Sequence, residues 1–294
     1  MKQKTITGIL LAIVLVPLVL LGGIPIIILG ILLGTIGSFE LIRMHINKRG
    51  LDKKYQYIMP IFTLIMLIII GLKMLGINID IMYIICSFIL LSIILMIISI
   101  LNKNILMSDV IYFIFSMIYP GILVMLIINI RLIDITPEVI IPENYYYDGL
   151  LVFLYLIITT ICTDIFAQVI GLKYGKHKLC PAISPKKSIE GSIGGSIVST
   201  ILGSLFLILC IHFNYVHIIE INSIWNILLI ILVTLVLSIL GQFGDLIASR
   251  LKREYEIKDF GNIFPGHGGV MDRFDSLLIS GTALFIILTI LGVL

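Results

Sequence analysis

Residues 149–173 read GLLVFLYLIITTICTDIFAQVIGLK, an apolar run closed by Lys173 and interrupted by one carboxylate, Asp164. The run exceeds the ~20 residues that carry an α-helix across a bilayer, so it predicts a membrane span with an ionisable group inside it. A carboxylate at that depth is costly against lipid and is expected to face a cavity, a cation or a neighbouring helix. Gln168 lies one turn on, on the same helical face.

Outward from this run the chain keeps the same character. Its 294 residues are 60% hydrophobic and 13% charged, whereas soluble domains carry about 25% charged residues. The reading is an all-α integral membrane protein with about nine transmembrane helices. The spans are expected at 5–21, 24–44, 57–75, 79–101, 109–130, 149–173, 190–211, 223–249 and 276–294. Gly22, Gly23 and Pro25 separate the first two, and Pro120 predicts a kink in the fifth. The alternating pattern of about ten residues that marks an outer-membrane barrel does not occur. The first run opens on Lys2 and Lys4 but is followed by Ile24, Pro25 and another apolar run instead of a small-residue cleavage site, so it reads as a retained helix. Cys86, Cys162, Cys180 and Cys210 are scattered and read as apolar filler without disulfides.

Basic residues set the orientation. With the N-terminus in the cytosol, all but Lys73 and Arg131 of the 20 Lys and Arg fall on the cytosolic side, and the C-terminus is external. The far-side loop 132–148 is acidic and aromatic, with Asp134, Glu138, Glu143, Tyr145, Tyr146, Tyr147 and Asp148. Residues 1–133 form a nearly motif-free scaffold of about five helices, while 134–294, about four helices with cytosolic loops 174–189 and 250–275, carry the informative polar residues.

The densest of these lie in residues 241–276, GQFGDLIASRLKREYEIKDFGNIFPGHGGVMDRFDS. Asp245 sits near the cytosolic end of the eighth span, flanked by Gly241 and Gly244, and Ser249 and Lys252 share its helical face. Arg250 and Arg253 join Lys252 at the helix end, where headgroup and helix-terminus pairing is the plainer reading. Lys258, Asp259 and Gly261 precede the turn Pro265-Gly266-His267-Gly268-Gly269. Glycines at this density bring backbone N–H groups within reach of an anion, or simply make a tight turn. Asp272 and Asp275 flank Arg273 and point the same way if the last helix starts near Met271; capping of that helix is the alternative. Carboxylates that converge without Cys or several His favour hard cations, chiefly Mg²⁺. The stretch GKHKLCPAISPKKSIEGSIGG, residues 175–195, adds Lys176, Lys178, Ser184, Lys186, Lys187 and Ser188 on the same face, with Gly191, Gly194 and Gly195 permitting close helix packing. Carboxylates, cations and glycine turns together suit a polyphosphate held at the bilayer surface beside a lipid co-substrate.

These residues resemble the signature of the bacterial phosphatidate cytidylyltransferase, or CDP-diacylglycerol synthase, family. The pattern Ser-x-x-Lys-Arg, Lys-Asp, Pro-x-His-Gly-Gly and Asp-Arg-x-Asp is matched by Ser249, Lys252-Arg253, Lys258-Asp259, Pro265, His267-Gly268-Gly269, Asp272-Arg273 and Asp275. Gln242 to Leu246, Asp164 with Ala167, and Ser184-Pro185 through Gly191 resemble the earlier motifs of that family. The residue before the signature Ser, often acidic in the family, is Ala248 here.

The resemblance implies transfer of the cytidylyl group of CTP to phosphatidic acid, giving CDP-diacylglycerol and pyrophosphate for phospholipid biosynthesis. It implies Mg²⁺ as cofactor, with a second cation left open, and a multi-pass homodimer in the cytoplasmic (inner) cell membrane whose site faces the cytosol. No nucleic-acid partner is expected. By the same resemblance Asp245, Asp272, Lys252, Arg253, Lys258, His267 and Arg273 are the expected catalytic residues. Ser249, Asp259, Gly268, Gly269, Lys186, Lys187 and Ser188 are expected at the substrates, and Asp245 and Asp272, joined by Asp164 and Asp275, at the metal. Two other classes use the same residues: a CTP-dependent lipid kinase, and a cation- or proton-coupled transporter built on Asp164 and Asp245. The lack of an internal repeat and the gathering of polar residues on one face stand against the transporter.

Overall fold

Long apolar helices make up nearly all of this computed structural model, which describes residues 2–132, 149–216, 221, 223–264, 266 and 268–293. Most of the acidic far-side loop, and Pro265 and His267 of the glycine turn, lie outside the described residues.

The helices are α1 (Lys2–Leu21), α2 (Gly23–Arg49), α3 (Tyr55–Met74), α4 (Ile81–Leu101), α5 (Met107–Ser116), α6 (Leu123–Leu132), α7 (Gly149–Tyr174), α8 (Ile189–His212), α9 (Ile224–Glu254) and α10 (Met271–Ile290). A π-helical turn, Met117–Ile122, joins α5 to α6 into one span. Among the described residues, eight spans are long and apolar enough to cross a membrane, and α1 adds the shorter apolar stretch Leu10–Leu21. The chain is an all-α, multi-pass membrane protein. Large side chains such as Leu90, Ile100 and Ile201 point outward, 58%, 76% and 59% exposed. Lipid tails are as apolar as leucine, so such surfaces lose nothing by facing them.

Several boundaries follow from local chemistry. Gly22, at φ 63°, turns the chain between α1 and α2, and Pro25 is tolerated because it sits in the first turn of α2, where its missing N–H has no helical partner. Pro120 falls inside the π-helical turn. The wider turn accommodates the missing donor, so the expected kink takes this form. The loop after α7 is not irregular. It folds as an antiparallel hairpin, β1 (Lys178–Cys180) with β2 (Ser184–Ser188), which the apolar pattern did not announce.

The chain forms two compact units, one of Met1–Asn129 with Glu254–Arg273, the other of Ile130–Arg253 with Phe274–Leu294. In the first, α2 packs on α3, α5 and the π-helical turn. Gly37 makes the approach possible, since a β-carbon there would stand 2.7 Å from the Pro120 Cβ. Ile42, Ile46, Met59, Met66, Leu95, Phe113 and Met117 fill the core around it.

In the second unit α7 and α8 lie together along much of their length. A β-carbon on Gly195 would stand 2.8 Å from the Ala167 nitrogen and the Thr163 carbonyl oxygen, so glycine sets the spacing. A buried polar ladder crosses the same region. The Thr163 hydroxyl lies 2.8 Å from those of Ser199 and Ser238, and Gln242 Nε2 donates to Ser196 Oγ at 2.7 Å. Hydroxyls away from water need such partners on neighbouring helices, which ties α7, α8 and α9 into one register.

Candidate active site

The polar candidates of the second unit gather at Asp164 on α7, Lys187 on β2, Asp245 on α9 and Asp275 on α10. Asp164 is exposed although it belongs to a spanning helix. It hydrogen-bonds the Ser276 side chain and lies within electrostatic reach of Asp245 and Lys187. The Lys187 ammonium sits 2.5 Å from Asp245 Oδ2, and Ser249 Oγ donates to Asp245 Oδ1 at 3.3 Å, one turn along α9 as the spacing predicts. Asp275 is within reach of Asp245, Asp164 and Lys252. Gly244 lets α10 come close to α9, because a β-carbon there would meet the Asp275 carbonyl oxygen.

The hairpin delivers Lys187 to this cluster, and its anchors are visible. The Glu190 carboxylate accepts the amides of Lys176 and His177 at 3.0 and 3.2 Å and meets His177 Nδ1 at 2.6 Å. Arg253 Nε donates to the Ile183 carbonyl at 3.2 Å. Ser188 is buried and caps α8, its hydroxyl accepting the Gly191 amide at 3.2 Å. Lys186 points outward and is exposed.

The first unit holds the remaining candidates. Asp272, in the first turn of α10, accepts the amides of Phe260 and Gly269 on Oδ2 at 2.8 and 2.9 Å. Phe264 N donates to the Gly268 carbonyl at 2.9 Å and closes the glycine turn, with Gly268 at φ 86°. Lys258, Asp259 and Arg273 are exposed. His267 lies outside the described residues.

Two features of this unit escape the sequence reading. Glu40 of α2, 1% exposed, accepts the amides of Val270 and Met271 at 3.0 Å each. Of the glycine turn, whose amides were expected either to reach an anion or simply to close a tight turn, the Gly269 amide is engaged by Asp272, and the next two amides, of Val270 and Met271, are engaged by Glu40. The second feature is a cluster further along α2. His45 Nε2 lies 2.7 Å from Asp109 Oδ1, Arg49 Nε donates to the same oxygen at 3.0 Å, and His45 Nδ1 lies 2.9 Å from the Tyr255 hydroxyl. Since the Asp109 carboxylate accepts, a neutral His45 carries its proton on Nε2 and takes the Tyr255 proton on Nδ1. The signal for both was a charged or polar residue in or beside an apolar run, Glu40 in the second span, His45 just past its end and Asp109 at the start of the fifth.

Among the described residues, no three His, Cys, Asp or Glu side chains are placed so as to enclose a metal ion. Asp164, Asp245 and Asp275 share one electrostatic field without forming a closed cage.

Fold and site define a polytopic membrane protein in which carboxylates and lysines meet on spanning helices and the segments that join them. Residues 2–291 match the cytidylyltransferase family, and the chain belongs to that family. Its relatives include proteins named phosphatidate cytidylyltransferase. That of Staphylococcus haemolyticus is 36% identical over 288 residues, 95% of each chain. That of Bacillus subtilis is 35% identical over 299 residues, 99% of this chain and 98% of the relative. That of Staphylococcus saprophyticus is 34% identical over 285 residues, 95% of each.

Proposed function

We propose that this protein transfers the cytidylyl group of CTP to phosphatidic acid, forming CDP-diacylglycerol and pyrophosphate. Its site is proposed to face the cytosol from the cytoplasmic membrane, in a homodimer, as the basic-residue bias and the family resemblance suggest. The observation that carries the reading is the Lys187–Asp245 pair at 2.5 Å, beside Asp164 of a spanning helix, in a chain whose family match runs nearly end to end.

A phosphate oxygen of phosphatidic acid attacks the α-phosphorus of CTP. The new P–O bond joins lipid to nucleotide, the bond from the α-phosphorus to the bridging oxygen breaks, and pyrophosphate leaves with that electron pair. By analogy with phosphorylated side chains, whose second pKa is about 6, the attacking phosphate monoester arrives largely deprotonated and needs no strong base. The obstacle is the meeting of two polyanions, and the residues answer it with cations. Lys187, Lys252, Arg253, Lys258 and Arg273 are proposed to hold the triphosphate and stabilise the leaving pyrophosphate. Ser249, Asp259, Lys186, Ser188, Gly268 and Gly269 are proposed to orient the substrates, and His267 to contact phosphate.

The donor set fits Mg²⁺. Every candidate ligand is a carboxylate, the hard oxygen donor that Mg²⁺ prefers. Mg²⁺ ordinarily takes one or two carboxylates and completes its shell with water and substrate phosphate, so a closed protein cage is not required. Asp245 and Asp272 are the proposed ligands, with Asp164 and Asp275 supporting. Bound Mg²⁺ would neutralise phosphate charge and align the in-line displacement.

Purified protein given phosphatidic acid, CTP and Mg²⁺ should yield CDP-diacylglycerol and pyrophosphate in equal amounts, stop on chelation and resume with added Mg²⁺. Release of CDP with a pyrophosphorylated lipid would overturn the proposal.

A further inference from the structure

Glu40 carries a carboxylate that the mechanism above does not use. It is buried in a spanning helix, and both of its oxygens are engaged, Oε1 by the Val270 amide and Oε2 by the Met271 amide. Burying a carboxylate is costly unless it is hydrogen-bonded, and here the partners are the unpaired N–H groups that open α10, at the positive end of that helix. Gly261 and Gly269 pack against it so closely that a β-carbon on either would overlap the Glu40 carboxylate. The preceding amide, Gly269, donates to Asp272 Oδ2 at 2.9 Å. Two carboxylates thus divide three consecutive amides, and the one taken by Asp272 is held in place by the two taken by Glu40. At the far end of the same segment, His45 of α2 bonds Tyr255 at 2.9 Å. Helix α2 therefore grips residues 255–271 at both ends.

We propose that Glu40 is a positioning residue for Asp272. Its carboxylate fixes the 269–271 turn, and the Gly269 amide of that turn fixes the rotamer in which Asp272 meets a cation. A glutamine at position 40 keeps the shape but turns an NH₂ donor toward one of the two amide donors, leaving that N–H without an acceptor. The inference rests on the reading of Asp272 as a cation ligand, and the variants below separate the two.

The test compares wild type, Glu40→Gln, Glu40→Asp and Asp272→Asn in detergent, each first shown to be folded by size exclusion and melting. Three quantities are read: hydrogen exchange of peptides covering 260–272, binding of Mn²⁺ alone, and kcat and KM for both substrates. Groups that orient a metal ligand are worth about tenfold to 100-fold in affinity or activity. E40Q should therefore weaken Mn²⁺ binding and lower kcat within that range, leave KM for phosphatidic acid within about threefold, and speed exchange at 269–271. E40D, which restores the charge, should recover part of each effect. Wild-type Mn²⁺ binding and kcat in folded E40Q would overturn the proposal while D272N alone loses Mn²⁺. If D272N binds Mn²⁺ like wild type, the ligand reading itself falls. Failure of both Glu40 variants to fold would make Glu40 a folding element and overturn the positioning role.

Discussion

The proposed roles of Asp272 and Lys187 make the sharpest predictions for single residues. Asp272 already accepts two backbone amides on one oxygen, so its orientation is set before any ligand arrives. Asp272→Asn should lower turnover at least about 100-fold, the upper end of what the groups around a ligand are worth, with little change in melting. Wild-type turnover would remove Asp272 from the site. Lys187 pairs with Asp245 at partial exposure. A charge-assisted bond of this kind contributes about 1.5–3 kcal/mol, so Lys187→Met should lower kcat/KM for CTP by roughly tenfold to 100-fold, with Lys187→Arg recovering part of it. Equal values for all three proteins would show that Lys187 does not touch the nucleotide. At this scale the sequence announces charged residues where apolar ones are the rule, which is why Asp164, Asp245, Asp272 and Asp275 stand out unaided. It does not announce partners. The amide acceptor of Val270 is Glu40, 230 positions away, and nothing in the spacing of either segment points to the other.

At the scale of elements, length and hydropathy locate the spans well, because crossing a bilayer leaves little choice of structure. Pro120 marks an irregular turn, yet spacing alone does not say that the irregularity is a π-helical turn, Met117–Ile122. The hairpin of 178–188 is less legible, since its short strands show no alternating pattern and its anchors, Glu190 and Arg253, come from outside it. Helix spacing makes its own prediction. Gly195→Ala places a methyl against the backbone of α7 and should cost about 1–3 kcal/mol, lowering the melting temperature in detergent. An unchanged melt would mean that α7 and α8 are not held this close. The α2 clamp makes another. Burial raises the Tyr255 phenol above its ordinary value, so the hydroxyl remains a donor to His45 through neutral and mildly alkaline pH. Tyr255→Phe should destabilise by about 1 kcal/mol, the net worth of one such bond, with the loss appearing as a lower denaturation midpoint. A midpoint equal to that of wild type would show that the bond contributes nothing.

Across the whole molecule, the distribution of charge governs orientation and the order of reaction governs function. The proposed orientation puts the loop containing Lys103 in the cytosol and Asn214 outside. In a cysteine-free background, an impermeant maleimide added to intact cells should label Asn214→Cys and spare Lys103→Cys; the reverse would invert the topology. The reaction itself is tested most directly by supplying purified, folded protein with phosphatidic acid, Mg²⁺ and CTP labelled in turn at the α- and the γ-phosphate. The lipid should be labelled from α-labelled CTP, with the γ-label leaving in pyrophosphate. Lipid labelled only from γ-labelled CTP would make this chain a kinase, and lipid labelled from neither would contradict group transfer altogether.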